Sequence, residues 1–176
     1  MATLALTMSA CGEDDPPPTE PTSAATTPAN PDATLPPMPA AAQEFTPNGA
    51  ATFVRYYVSV LSFASATGDV EELESLSDPE CGGCSDYIDY FRQTYLDGGW
   101  IQDRAWSNGG TKLWFDDAVD GETRATTNVT LSAGSLKKDG DSEPSAAPKS
   151  SHPVTFGLTF DGSAWSMTQL VAGDPK

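Results

Sequence analysis

Phe53-Val54-Arg55-Tyr56-Tyr57-Val58-Ser59-Val60-Leu61-Ser62-Phe63 is apolar nearly all round, with Arg55 and the serines as the exceptions. Read at helical period, such a stretch has no broad solvent face, so it is expected to be buried on several sides. Its start is signalled by Thr46 as a cap, Pro47 at the first helical position and Phe45 where a hydrophobic staple would sit. Its end is expected around Thr67-Gly68.

Downstream, a second helix is expected from Val70 to about Ser77, acidic outside and turning Val70, Leu73 and Leu76 inward. Asp78-Pro79 breaks it. After Cys81-Gly82-Gly83-Cys84 a third helix runs from about Ser85 to Leu96, with Tyr87, Phe91 and Tyr95 four residues apart on one face. Asp97-Gly98-Gly99 ends it. From Trp100 onward the period switches to two. Five strands are predicted over 100–107, 111–119, 122–132, 152–160 and 164–171. Asn108-Gly109, Asp120-Gly121 and Asp161-Gly162 read as hairpin turns, so the strands form an antiparallel meander. The polar segment 134–151 reads as a flexible, mobile insertion. The fold class is therefore α+β: three N-terminal helices packed on a curved antiparallel sheet of about five strands, in a single domain over 45–174.

Upstream of the helices the chain is of another kind. Leu6-Thr7-Met8-Ser9-Ala10-Cys11 places small residues before a lone cysteine, and Gly12-Glu13-Asp14-Asp15-Pro16-Pro17-Pro18 follows. This junction resembles a bacterial lipobox, whose cysteine becomes the lipidated first residue of the mature protein. The resemblance implies that residues 1–10 are the remnant of a lipoprotein signal peptide lacking its basic n-region. It also implies that Cys11 carries the lipid and that residues 11–44 are a disordered Pro/Thr/Ala-rich tether. The expected location is the extracytoplasmic face of the cell membrane, with the membrane as partner through the anchor. Residues 1–10 are too few to span a bilayer.

Lys+Arg number 9 and Asp+Glu number 25, giving a net charge of −16. So acidic a chain repels phosphates, and nucleic acid is excluded as a partner. With Cys11 assigned to the anchor, the other two of three cysteines, Cys81 and Cys84, form a CxxC pair. A structural disulfide is the expected state in an exported protein. The competing readings are a redox-active dithiol at a helix N-terminus and half of a metal site. The metal reading lacks ligands, since His152 is the only histidine. His152 itself, before Pro153, reads as a surface residue. Neither a metal nor a cofactor is expected.

A long apolar helix in the concavity of a curved sheet resembles the cystatin-like cone of the nuclear-transport-factor-like superfamily, which includes ketosteroid isomerase and SnoaL-like proteins. Asp161-Gly162-Ser163-Ala164-Trp165-Ser166-Met167 resembles the turn and tryptophan that often begin its last strand. The lipobox, the tether, Phe53-Val54-Arg55-Tyr56-Tyr57, the CxxC and Gly98-Gly99-Trp100 together resemble a family of actinobacterial lipoproteins of unknown function. In such a cone, Tyr57, Tyr87, Phe91, Trp100, Trp114 and Asp116 are the expected pocket lining. Isomerases of the superfamily use a pocket aspartate beside a tyrosine, but no motif here places that pair, and no catalytic residue is assigned. The function expected is non-catalytic binding of a small apolar ligand or of an envelope component such as an envelope protein. The alternatives are an isomerase- or hydrolase-like enzyme in the cone pocket and a protein–protein interaction module.

Overall fold

Helix α1 (Pro47–Thr67) begins at the cap the sequence predicts. The Thr46 hydroxyl accepts the Gly49 N–H at 2.9 Å, and Pro47 occupies the first position. Gly68 closes the helix at φ 77°, where a β-carbon would also run into the Tyr95 ring at 2.4 Å. The computed structural model describes residues 30, 32–115 and 122–173. Residues 1–10, Cys11, tether residues 12–29 and the turn Asp120-Gly121 lie outside the described residues.

Phe53, Val54, Tyr57, Val58, Val60, Leu61 and Ala64 are all buried, so α1 is the axis of the core. Phe45 does not staple α1. Its ring stacks on Phe160 at 4.9 Å and lies 5.5 Å from Trp165, the better apolar partners within reach. Packing starts before Phe45. Residues Ala40–Gln43 make one turn of 3-10 helix against α1, with Ala42 buried, so the end of the expected tether belongs to the folded body. Helix α2 (Glu71–Ser75) is one turn long and is flanked by buried Val70 and Leu76, with Leu73 inside. Helix α3 (Gly82–Leu96) starts earlier than predicted, because Cys81 caps it: its sulfur accepts the Cys84 N–H at 3.3 Å.

The strands are β1 (Trp100–Gln102), β2 (Trp106–Asn108), β3 (Lys112–Phe115), β4 (Thr123–Leu131), β5 (Gly134–Lys137), β6 (Ser145–Ala147), β7 (Ser150–Phe160) and β8 (Trp165–Ala172). They form two antiparallel sheets. One runs β2-β4-β7-β8, with β3 also on β4, and the other runs β1-β5-β6. The α+β plan stands: three helices packed on antiparallel sheets.

Three local expectations need correction. Asn108-Gly109 is no hairpin. Asn108 pairs with Val129 and Lys112 with Thr126, so β2 and β3 lie on the same edge of β4 with one extra residue between them. The Gly109 N–H still reaches the Asn128 carbonyl at 3.0 Å, which holds the chain against β4 instead of letting it turn back. Second, the strand predicted over 100–107 breaks at Asp103, which takes φ 59°. Third, segment 134–151, read as a loop, carries β5 and β6. Its strands are short and none of their residues is fully buried, so their composition looks like that of a loop.

The two sheets are one sheet folded over. Trp100↔Lys137 and Trp106↔Leu131 are six residues apart on both strands, so the register survives the break. Gly134↔Ala147 and Leu131↔Ser150 are three apart on both. Adjacent strands therefore bend together. Ser132 stitches the fold line, its hydroxyl donating to the Asp103 carbonyl and accepting the Ala105 N–H, both at 2.8 Å. Arg104 spans all three strands, donating to the carbonyls of Ser132 at 3.5 Å and Pro148 at 3.1 Å. Gly134 is needed here, since a β-carbon would meet the Gln102 carbonyl oxygen at 2.4 Å.

Candidate functional site

The fold line leaves a cleft of about 340 Å³ under the bent sheet, within the range of small-molecule sites. Helix α3 contributes Tyr87, Tyr90 and Phe91 to its wall. The sheets contribute Ile101, Trp106, Leu131, Leu136 and Ala147, with Ser65 from α1. Arg104, Ser150 and His152 complete the lining.

Trp106 organises the aromatic wall. Its backbone N–H donates to the Ser62 hydroxyl at 3.0 Å, which ties β2 to α1. Its ring stands edge-on to Tyr87 at 5.4 Å and to Phe91 at 6.1 Å, the geometry that aromatic quadrupoles favour. Its indole N–H has no hydrogen-bond partner among the described residues. Tyr95 braces the floor. Its hydroxyl donates to the Ser65 carbonyl at 2.9 Å and accepts the Ile101 N–H at 3.4 Å, joining α3 to α1 and β1. Burial pushes the Tyr87 and Tyr95 hydroxyls up from the ordinary phenol range, so both remain neutral donors. Among the described residues no aspartate or glutamate lines the cleft, although the chain carries 25. Among the described residues the basic side chains on its wall are Arg104 and His152.

The six residues expected to line a pocket separate. Tyr87 and Phe91 meet in this cleft. Tyr57 does not line it. Its side chain is completely buried beneath α2, with its hydroxyl 2.8 Å from that of Ser77. A helix that is apolar all round has to direct some of its aromatics into solid core, and Tyr57 is one. Trp100 lies on β1 opposite Lys137, away from the cleft lining. The Trp114 backbone pairs with Arg124 on β3, and its side chain lies outside the described residues, as does all of Asp116. Cys11 lies outside them too. Cys81 and Cys84 form a buried disulfide with α-carbons 5.2 Å apart. Burial keeps its sulfurs from attacking thiolates, which disfavours the redox reading. His152 is exposed, at the rim of the cleft. Among the described residues, no group of three His, Cys, Asp or Glu is placed to hold a metal ion.

Arg104, Trp106 and Leu136 are among the lining residues that pattern reading misses. They converge only because the strands fold over. The one signal is the polar run Gln102-Asp103-Arg104, which interrupts the apolar alternation where the bend falls.

Tyr57 gives the core a pH limit. Burial raises its hydroxyl from 10.0 to about 12, and the hydrogen bond to Ser77 only partly offsets that. The folded state therefore favours the protonated phenol. Its contribution is intact below pH 10 and is lost progressively as pH rises toward about 12. The loss is roughly 3 kcal/mol for this one group. Urea unfolding at pH 9 and pH 12 should show Tyr57→Phe retaining more stability than the parent at the higher pH. Equal losses would show that Tyr57 does not set the alkaline limit.

Solved structures with a similar fold include the intermembrane space region of the chloroplast protein ARC6, with a TM-score of 0.55 at 11% identity. The match covers 75% of this chain and 99% of that one. An uncharacterised protein with a cystatin-like fold from Caulobacter vibrioides gives a TM-score of 0.45 at 9% identity, over 69% of this chain and 88% of that one. At these identities the likeness concerns fold alone. No curated protein matches the chain. Residues 20–171 match the description "Family of unknown function (DUF6318)".

Proposed function

The chain belongs to the DUF6318 family of unknown function, and from that premise we propose that it is a non-catalytic binding module for a small apolar ligand, tethered to the extracytoplasmic face of the cell membrane through lipidated Cys11. The observation that carries the binding half is the cleft at the fold line. Aromatic and aliphatic side chains from α3 and five strands converge on it, and few polar groups interrupt them. Among the described residues its wall is built mainly of aromatic and aliphatic side chains, which suits an apolar ligand. The lipobox-like junction and the Pro-rich tether support the anchoring half. A tether in polyproline II conformation, at about 3.1 Å per residue, would hold the module well clear of the lipid.

N-phenyl-1-naphthylamine, an uncharged apolar fluorophore, is expected to bind saturably with a gain in fluorescence. Ala147→Phe puts a ring into the cleft and should weaken that binding by about tenfold or more. Absence of saturable binding, or binding indifferent to Ala147→Phe, would contradict the cleft as the site. For the anchor, Cys11→Ser behind a functional export signal should move the protein from the membrane to the soluble fraction. Unchanged membrane retention would defeat that half.

A further inference from the structure

The cleft has an electrostatic character opposite to that of the chain around it. The protein carries a net charge of −16, yet among the described residues the cleft wall holds Arg104 and His152 and no carboxylate. Arg104 is in no ion pair among the described residues. Its Nη1 is committed to the carbonyls of Ser132 and Pro148, which fixes the guanidinium at the fold line. A guanidinium offers five N–H donors in a planar fork, so donors beyond that one nitrogen remain for a ligand. The Trp106 indole N–H beside the same cleft is also without a partner among the described residues. Arg104 thus brings unmatched donors to a largely apolar space.

We propose, building on the binding role above, that the cleft takes a single-chain apolar carboxylate, with the chain against Phe91, Leu131 and Leu136 and the carboxylate on Arg104. Charge complementarity selects the head group. An ionised acceptor facing a fixed guanidinium makes the stronger, charge-assisted kind of hydrogen bond. A cationic amphiphile would leave Arg104 facing a like charge, and a neutral one would leave its donors unmatched. The volume selects the tail. About 340 Å³ is near the small end of ligand sites, which suits one chain and not the two of a membrane phospholipid.

The test compares dodecanoate with dodecanol on the full chain by competition against N-phenyl-1-naphthylamine. Both should compete. Dodecanoate should bind tighter by about tenfold or more, the range of one charge-assisted hydrogen bond. Arg104→Gln should bring dodecanoate down to the dodecanol level, and Arg104→Lys should restore part of the difference. Should Arg104→Gln fail to fold, because it also removes the clip across the fold line, the two probes on the unaltered chain still decide. Equal competition by both probes would overturn the carboxylate assignment and leave the apolar-ligand reading standing. Competition by neither would overturn both.

Discussion

Trp165→Ala is expected to cost about 3–5 kcal/mol, the range for removing a large aromatic from a core. Only 3% of Trp165 is exposed. Its ring meets Phe160 edge-on at 5.0 Å and lies 5.5 Å from Phe45, and its indole N–H donates to the Glu44 carbonyl at 3.0 Å. One side chain thus joins the last strand to the entry of α1. The Asp161 turn before it is built to deliver it. The Asp161 carboxylate accepts the Ala164 and Ser163 N–H groups and the Ser163 hydroxyl, each at 2.8 Å, and these bonds hold its pKa below the usual carboxylate range. Thermal unfolding should report a fall in Tm of roughly 10 °C or more for Trp165→Ala. Trp165→Phe should keep part of the packing and lose the bond to Glu44, so it should fall between the two. An alanine variant within 1 kcal/mol of the parent, about the average cost of any substitution, would show that the junction is not held by Trp165.

Gly83→Ala is expected to cost about 3 kcal/mol, and Gly82→Ala little or nothing. The first turn of α3 lies so close to β8 that a β-carbon on Gly83 would sit 1.9 Å from the Leu170 carbonyl oxygen. That neighbour is backbone in a paired strand and cannot rotate away. A β-carbon on Gly82 meets nothing within 4 Å. The two glycines of the CxxC therefore have different duties. Gly83 permits helix–strand contact, and Gly82 is a helical position that alanine should suit. Denaturant unfolding of the two single variants with the disulfide intact distinguishes them. Equal destabilisation would mean that both glycines serve ring closure between Cys81 and Cys84, not the contact with β8.

Features governed by neighbouring residues are legible in the sequence. The Thr46–Pro47 cap, Gly68 at the end of α1, the inward Val70, Leu73 and Leu76, and the alternation of β4 all follow from period and local chemistry. What the sequence hides depends on contacts across the sheet. Gly109 reads as a hairpin residue, but whether a glycine turns or bulges depends on the hydrogen bond that awaits it, here the Asn128 carbonyl. The 134–151 segment reads as a loop because β5 and β6 need not alternate to pair with β1 and each other. The site follows the same division. Tyr87 and Phe91 share a helix face and are predicted together. Arg104, Trp106 and Leu136 reach them only through a bend whose single local trace is a left-handed aspartate.

The proposed binding role stands or falls with the cleft at the fold line. The most direct measurement is the ¹⁵N–¹H spectrum of the indole N–H groups as dodecanoate is added. The chain has four tryptophans, so four resonances are assignable by single Trp→Phe variants. Trp106 lines the cleft, and its indole N–H has no hydrogen-bond partner among the described residues. Trp165 lies away from the cleft and already donates to Glu44. The Trp106 resonance is predicted to shift saturably, and the Trp165 resonance to stay in place. Saturable binding that leaves Trp106 unmoved would contradict the claim.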